Sequence, residues 1–174
     1  MKTSTEFLEF LHDWKGTPYA NKMREKGRGV DCVNFIVAYS DWLADTDSEV
    51  LGLPKLLGYN DPKETLSVIK FLERGWANTL VDFKDKRLTE VLMPGDVIAT
   101  QNGTHPVHLV LAGPKRGTIW HASNERPIPG IPNQDYGVRV SALGTATTLG
   151  INRIWRLEAA ENMKWLEDTS DACC

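Results

Sequence analysis

The stretch GVDCVNFIVAY, Gly29 to Tyr39, decides how this chain folds. Asp31 is a helix-capping residue type, and an apolar run with three-to-four spacing follows it at once. The pattern predicts a helix from about Cys32 to Leu43, with Cys32, Phe35, Ile36, Tyr39 and Leu43 on one inward face. Cys32 then sits in the first turn. Backbone N–H groups and the helix dipole there favour a thiolate, the nucleophilic form of cysteine. A free cysteine in a core is also commonly just a small apolar residue. Position alone leaves both readings open.

Working outward, the N-terminal segment is a second clear helix. Thr3 and Glu6 have capping-box spacing, and Phe7, Leu8, Phe10, Leu11 and Trp14 form an apolar stripe. Between the two helices, KGTPYANKMREKGRG is a polar loop with three glycines and one proline. Asp61, Pro62 and Glu64 open another predicted helix that Gly75 ends. After Pro94 the pattern changes to short β-rich runs: DVIAT, VHLVLA, TIWHAS, YGVRVSAL and INRIWRL. Helices followed by consecutive strands predict an α+β fold, with N-terminal helices packed on an antiparallel sheet. Residues 1–157 read as a single domain, and residues 158–174 as a tail that begins as a short helix and then frays.

Composition narrows the function classes. The 174 residues suffice for one domain with a sizeable core. A net charge of -3 with no long basic run argues against a nucleic-acid partner. No apolar stretch approaches the roughly 20 residues of a membrane span. The opening MKTSTEFLEFLHDWKG interrupts its apolar residues with Glu9, His12 and Asp13, unlike a secretory signal. The three cysteines include the terminal pair Cys173 and Cys174, and no metal-ligand spacing accompanies them. No metal or cofactor is expected.

A cysteine nucleophile needs a base, and the base needs an orienting partner. The chain has four histidines. His12 lies beside Asp13 on the first helix and reads as a surface residue. His105 falls in the turn NGTHP and reads as solvent-exposed. His108 opens the strand HLVLA, where alternation aligns it with Val110 and Ala112, facing the sheet–helix junction. His121 ends the next strand. A hairpin about Lys115 brings His108 roughly opposite His121 or Ala122. Cys32, His108 and His121 are therefore the expected catalytic set, with His108 taking the thiol proton and His121 orienting His108. Either histidine taken alone reads more readily as a satisfied structural residue, and it is the three residues together that point to catalysis.

The motifs GTPY, DCVNF, MPGDVIAT, HLVLAG and IWHAS, in this order from about Trp14 to Leu157, resemble those of NlpC-type cysteine peptidases. The resemblance implies a papain-like fold and a Cys-His-His triad at Cys32, His108 and His121. It also implies that Tyr19 and Asp31 line the substrate site, with Tyr19 a possible oxyanion donor beside the Cys32 N–H. The implied substrate is the stem peptide of bacterial peptidoglycan, cleaved at an amide bond. Similar compact members are carried by phage tails, so phage tail proteins are implied partners. The implied location is the virion tail or a signal-independent export route, otherwise the cytoplasm. Val33 and Asn34 depart from the Ser-Gly usual after the cysteine, which leaves the substrate subsites open. Two other functions fit the same residues: a structural tail-tip or adaptor protein with a vestigial cleft, and an amidase or acyltransferase with a non-wall substrate. The Pro- and Gly-rich loop NERPIPGIPNQDYG is expected to form one wall of the cleft.

Overall fold

The fold is given by a computed structural model that describes residues 2–45, 78–100, 108–123, 137–148 and 150–167. The helix expected over residues 61–75, nearly all of the loop expected as a cleft wall, His105, and the terminal cysteines lie outside the described residues.

Helix α1 (Ser4–Trp14) starts at the predicted capping box. The Glu6 N–H donates to Thr3 Oγ1, and Glu6 Oε2 accepts from the Thr3 N–H at 2.7 Å. Its buried stripe is Phe7, Phe10, Leu11 and Trp14, while Leu8 is half-buried. A two-stranded ribbon follows, β1 (Arg24–Glu25) with β2 (Gly29–Val30). Helix α2 (Cys32–Ala44) is capped by Asp31, as predicted. Its expected inward residues are buried, but so are Val33, Val37 and Ala38. One face alone does not account for this. Phe7 and Phe10 of α1 stack on Phe35, Tyr39 and Trp42 from one side, and the sheet covers another.

The main sheet contains β3 (Asn78–Leu80), β4 (Val97–Thr100), β5 (His108–Ala112), β6 (Thr118–Ser123), β7 (Gly137–Ala142) and β8 (Ile151–Leu157). Every neighbouring pair is antiparallel, in the order β3-β8-β4-β5-β6-β7. The architecture is therefore mixed helix and antiparallel sheet, the α+β class. All five predicted strands are present. The run YGVRVSAL stops pairing at Ala142, and Leu143 instead opens the short helix α4 (Leu143–Thr148). Helix α3 (Leu88–Val91), β3 and the ribbon are too short to carry a period in sequence.

Both faces of this sheet are buried. Val97, Ala99, Leu109, Leu111, Trp120, Ala122, Val138 and Trp155 join α1 and α2 in one core, which also contains Cys32. Ile98, Val110, Ala112, Ile119 and Ile154 join Leu92 and the α4 residues Leu143 and Ala146 in a second. The segment after Leu157 packs into the first core through Ala160 and Met163. It is also tied to α1, where Ser4 Oγ bonds both the carbonyl and the N–H of Lys164. No helix among the described residues is long and apolar enough to cross a membrane.

Two carboxyl groups lie deep in the fold, those of Asp31 and Asp96. The Asp96 carboxylate is fully buried and takes Arg156 in a fork, Nε to Oδ1 at 2.9 Å and Nη2 to Oδ2 at 2.8 Å. The Met93 N–H donates to the same carboxylate at 2.8 Å. Burial raises this carboxyl above its ordinary range, against the pull of Arg156. Replacing one partner of a buried pair strands the other charge, at about 3 kcal/mol. Arg156→Leu is expected to lose stability of that order in urea denaturation. The loss should grow as pH rises, because at low pH the stranded carboxyl escapes by taking up a proton.

Candidate functional site

The beginning of α2 is held by an internal carboxylate. Asp31 is fully buried. Its Oδ1 accepts from the Asn34 N–H at 2.8 Å, which is the cap bond. Its Oδ2 accepts from Asn34 Nδ2 at 2.9 Å and from the Lys22 N–H at 2.7 Å. The Val33 N–H bonds the same carboxylate. Burial is the largest influence on this carboxyl and raises it, while the bonds from Asn34, Lys22 and Val33 pull the other way. Asp31 thus joins the helix to the loop before it. Its acceptor positions are turned to the protein's own donors, so it clamps the helix to that loop.

Tyr19 stands beside that clamp. It bridges to Val30 in parallel, with the Val30 N–H on the Pro18 carbonyl at 2.9 Å and the Ala20 N–H on the Val30 carbonyl at 3.1 Å. The half-buried phenol donates to Asn21 Oδ1 at 3.0 Å. The same loop is stitched to the sheet. The Val138 N–H donates to the Thr17 carbonyl, and the Gly16 N–H to the Val138 carbonyl, each at 2.9 Å. Gly137 allows this approach. It has φ +93°, and a Cβ there would collide with the Thr17 carbonyl oxygen.

Cys32 is 3% exposed and belongs to the α1–α2 core. Its N–H is one of the first-turn donors that a helix cannot satisfy internally. Tyr19, Asp31 and Cys32 are thus brought together at one helix end.

The two predicted histidines also meet. His108 Nε2 and His121 Nδ1 are 2.8 Å apart, with the rings at 72°. Leu111 pairs with Trp120, and Ala112 with Ile119. Continuing that register makes His108 and His121 diagonal neighbours rather than the directly opposite residues expected.

Alternation corrects a second expectation. His108 does share a face with Val110 and Ala112, but these belong to the core away from α1 and α2. His108 pairs with Thr100, whose neighbour on that face, Ile98, is in the same second core. His121 shares its face with Ile119, while Trp120 and Ala122 point to α2. The histidine pair and Cys32 therefore occupy opposite sides of the sheet. The sequence pattern identified which strand residues share a side, but nothing in it says which side α2 will cover.

On its side of the sheet the pair has polar company. His121 pairs across strands with Arg139. His121 Nε2 lies 2.9 Å from Ser141 Oγ, and Arg139 Nη2 donates to Ser123 Oγ at 3.3 Å. Burial lowers His121 to about 3, with further contributions from the charges of His108 and Arg139. It is a neutral ring at physiological pH. Arg139 and Ser141 were legible in sequence only as same-face residues of one strand, and their placement beside His121 needs the β6–β7 pairing. Of the remaining described histidines, His12 is exposed, as expected, with its ring 5.9 Å from that of Trp120.

No family model matches the chain, and no curated protein matches it.

Two outcomes follow from these environments. Asp31→Ala leaves several first-turn and loop donors without their acceptor and is expected to cost about 2 kcal/mol, at the upper end for a cap. Urea denaturation measures it, and a loss below a few tenths would show that the clamp is dispensable. His121 is protonated near pH 6.5 when unfolded but only near 3 when folded, so the unfolded chain binds more protons in between. Stability contributed by this ring is present above that window and falls as pH drops through it, by up to about 1.4 kcal/mol per unit. The wild type should therefore lose stability on acidification faster than His121→Gln. Parallel curves for the two proteins would contradict a buried neutral ring.

Proposed function

We propose that this protein is a cysteine hydrolase that cleaves amide bonds in the peptides of bacterial peptidoglycan, on an NlpC-type, papain-like scaffold. The observation that carries the proposal is Cys32 in the first turn of a buried helix, with that turn locked to the Tyr19 loop by Asp31. Such a turn aims N–H donors at an incoming carbonyl and stabilises negative charge on sulfur. Cys32 attacks the amide carbonyl, its N–H stabilises the oxyanion, and a base passes the thiol proton to the leaving amine. Water then hydrolyses the thioester. Peptidoglycan as substrate rests on the motif resemblance alone.

The base is the demanding step. The His108–His121 pair is a hydrogen-bonded unit of the right composition, yet it belongs to the far face of the sheet. His108, which opens β5, is the first histidine to be tested as the base. His105, three residues upstream in sequence, is the other histidine to be tested for this role. The opposite-face arrangement and the slight exposure of Cys32 also favour a second reading, a structural protein of a phage tail tip in which the thiol does no chemistry. An amidase or acyltransferase with a non-wall substrate uses the same thiol chemistry.

Digestion of purified muropeptides, read by mass spectrometry, tests these readings. Wild type is expected to yield new fragments, and Cys32→Ala none. His105→Ala, His108→Ala and His121→Ala then identify the base by losing at least about a hundredfold in rate, the lower bound for general-base catalysis. A folded wild type that cuts no wall chemistry, and whose Cys32 resists alkylation at neutral pH, would decide for the structural reading.

A further inference from the structure

We propose that Met23 is an oxidation-sensitive latch, whose conversion to the sulfoxide by a peroxide releases the neighbouring Lys22 turn from Asp31. Residues Ala20 to Met23 form a turn closed by a long bond, from the Met23 N–H to the Ala20 carbonyl at 3.4 Å. Lys22 occupies its third position with φ +65°. A side chain in this left-handed region is sterically strained, which is why glycine or asparagine is usual there. Two contacts hold the turn in this state. The Lys22 N–H donates to Asp31 Oδ2 at 2.7 Å. The two ends of the turn lie side by side over Gly29, where a Cβ would collide with Met23 Sδ and would lie 2.6 Å from Ala20 Cβ. Gly29 pairs with Glu25 and leads through Val30 to Asp31, so the thioether fastens the turn to the strand that feeds α2.

Among the sulfur-bearing residues described, this one is the most open to solvent. Met23 is 39% exposed, Met93 is half-buried, and Met163 and Cys32 are almost wholly buried. Hydrogen peroxide transfers one oxygen atom to the thioether sulfur. The O–O bond breaks as the S–O bond forms, the sulfur is oxidised, and the peroxide leaves as water. The sulfoxide is polar and needs hydration, which the Gly29 backbone and the Ala20 methyl do not replace. Once the side chain lifts away, the Asp31 bond is left to hold the strained Lys22. Relaxation of Lys22 to a negative φ turns its N–H off the carboxylate. The cap bond from the Asn34 N–H lies within α2 and is unaffected. Oxidation therefore loosens the turn next to Tyr19 and leaves the helix carrying Cys32 in place. This release does not rest on the hydrolase proposed above.

Amide hydrogen exchange in the full-length, nitrogen-15-labelled protein tests this by NMR before and after hydrogen peroxide, with the oxidised residues mapped by mass spectrometry. Met23 is expected to oxidise ahead of Met93. The Lys22 N–H should then exchange at least about fivefold faster, the factor for one lost hydrogen bond, while Asn34 is unchanged. Met23→Leu, which keeps an apolar side chain over Gly29 but has no sulfur, should show no response. Lys22→Gly, which has no strain to release, should respond less than the wild type. Oxidation of Met93 ahead of Met23, or an unchanged Lys22 N–H once Met23 is oxidised, overturns the proposal. So does the wild-type acceleration appearing in Met23→Leu or undiminished in Lys22→Gly.

Discussion

Side chains along a β-strand alternate, and the four adjacent strands β8, β4, β5 and β6 are buried on both faces. This constraint leaves no strand residue neutral. Ile98, Val110 and Ile154 form a row across three strands on one side, while Val97, Leu111 and Trp155 form the matching row on the other. A slip of one residue would exchange the two rows and drive polar Thr100, His108 and His121 into the core beneath α2. The apolar rows therefore fix where the histidines stand. Their location is a consequence of packing the rest of the sheet.

The polar groups inside the protein are arranged around fixed backbone donors. Asp31 collects N–H groups from its own helix and from Lys22, and Asp96 collects the Met93 N–H together with Arg156. Each carboxylate joins segments that apolar contacts alone would hold only loosely. Asp31 couples the loop carrying Tyr19 to the helix carrying Cys32. Asp96 couples the start of β4 to β8 across the sheet. A buried carboxylate is tolerated here because its lone pairs are filled by the protein itself.

The chemistry available to the site follows from this division. On one side of the sheet a thiol lies at a helix N-terminus, where developing negative charge is favoured. On the other, a neutral His121 links His108 to Ser141. The two groups belong to different cores of the fold.

Much of the architecture was legible in the residues themselves. The capping pair Thr3 and Glu6, the cap Asp31, and the alternating runs after Pro94 are local signals, because hydrogen-bond geometry and apolar period act over a few residues. The proximity of His108 and His121 was legible for the same reason, since a tight hairpin around Lys115 is a local structure. The sidedness of the site was not. Whether α2 covers the face of Leu109 and Leu111 or that of His108 and Val110 depends on which apolar set better fits the helix, a property of the whole core. Ser141 was equally hidden, because β6 and β7 are joined by a long connection and their register is set by contacts distant in sequence. Local periodicity determined the elements and the residues that share a face. Only the tertiary structure decided which faces meet, because burial is a property of the assembled layers and not of any one strand.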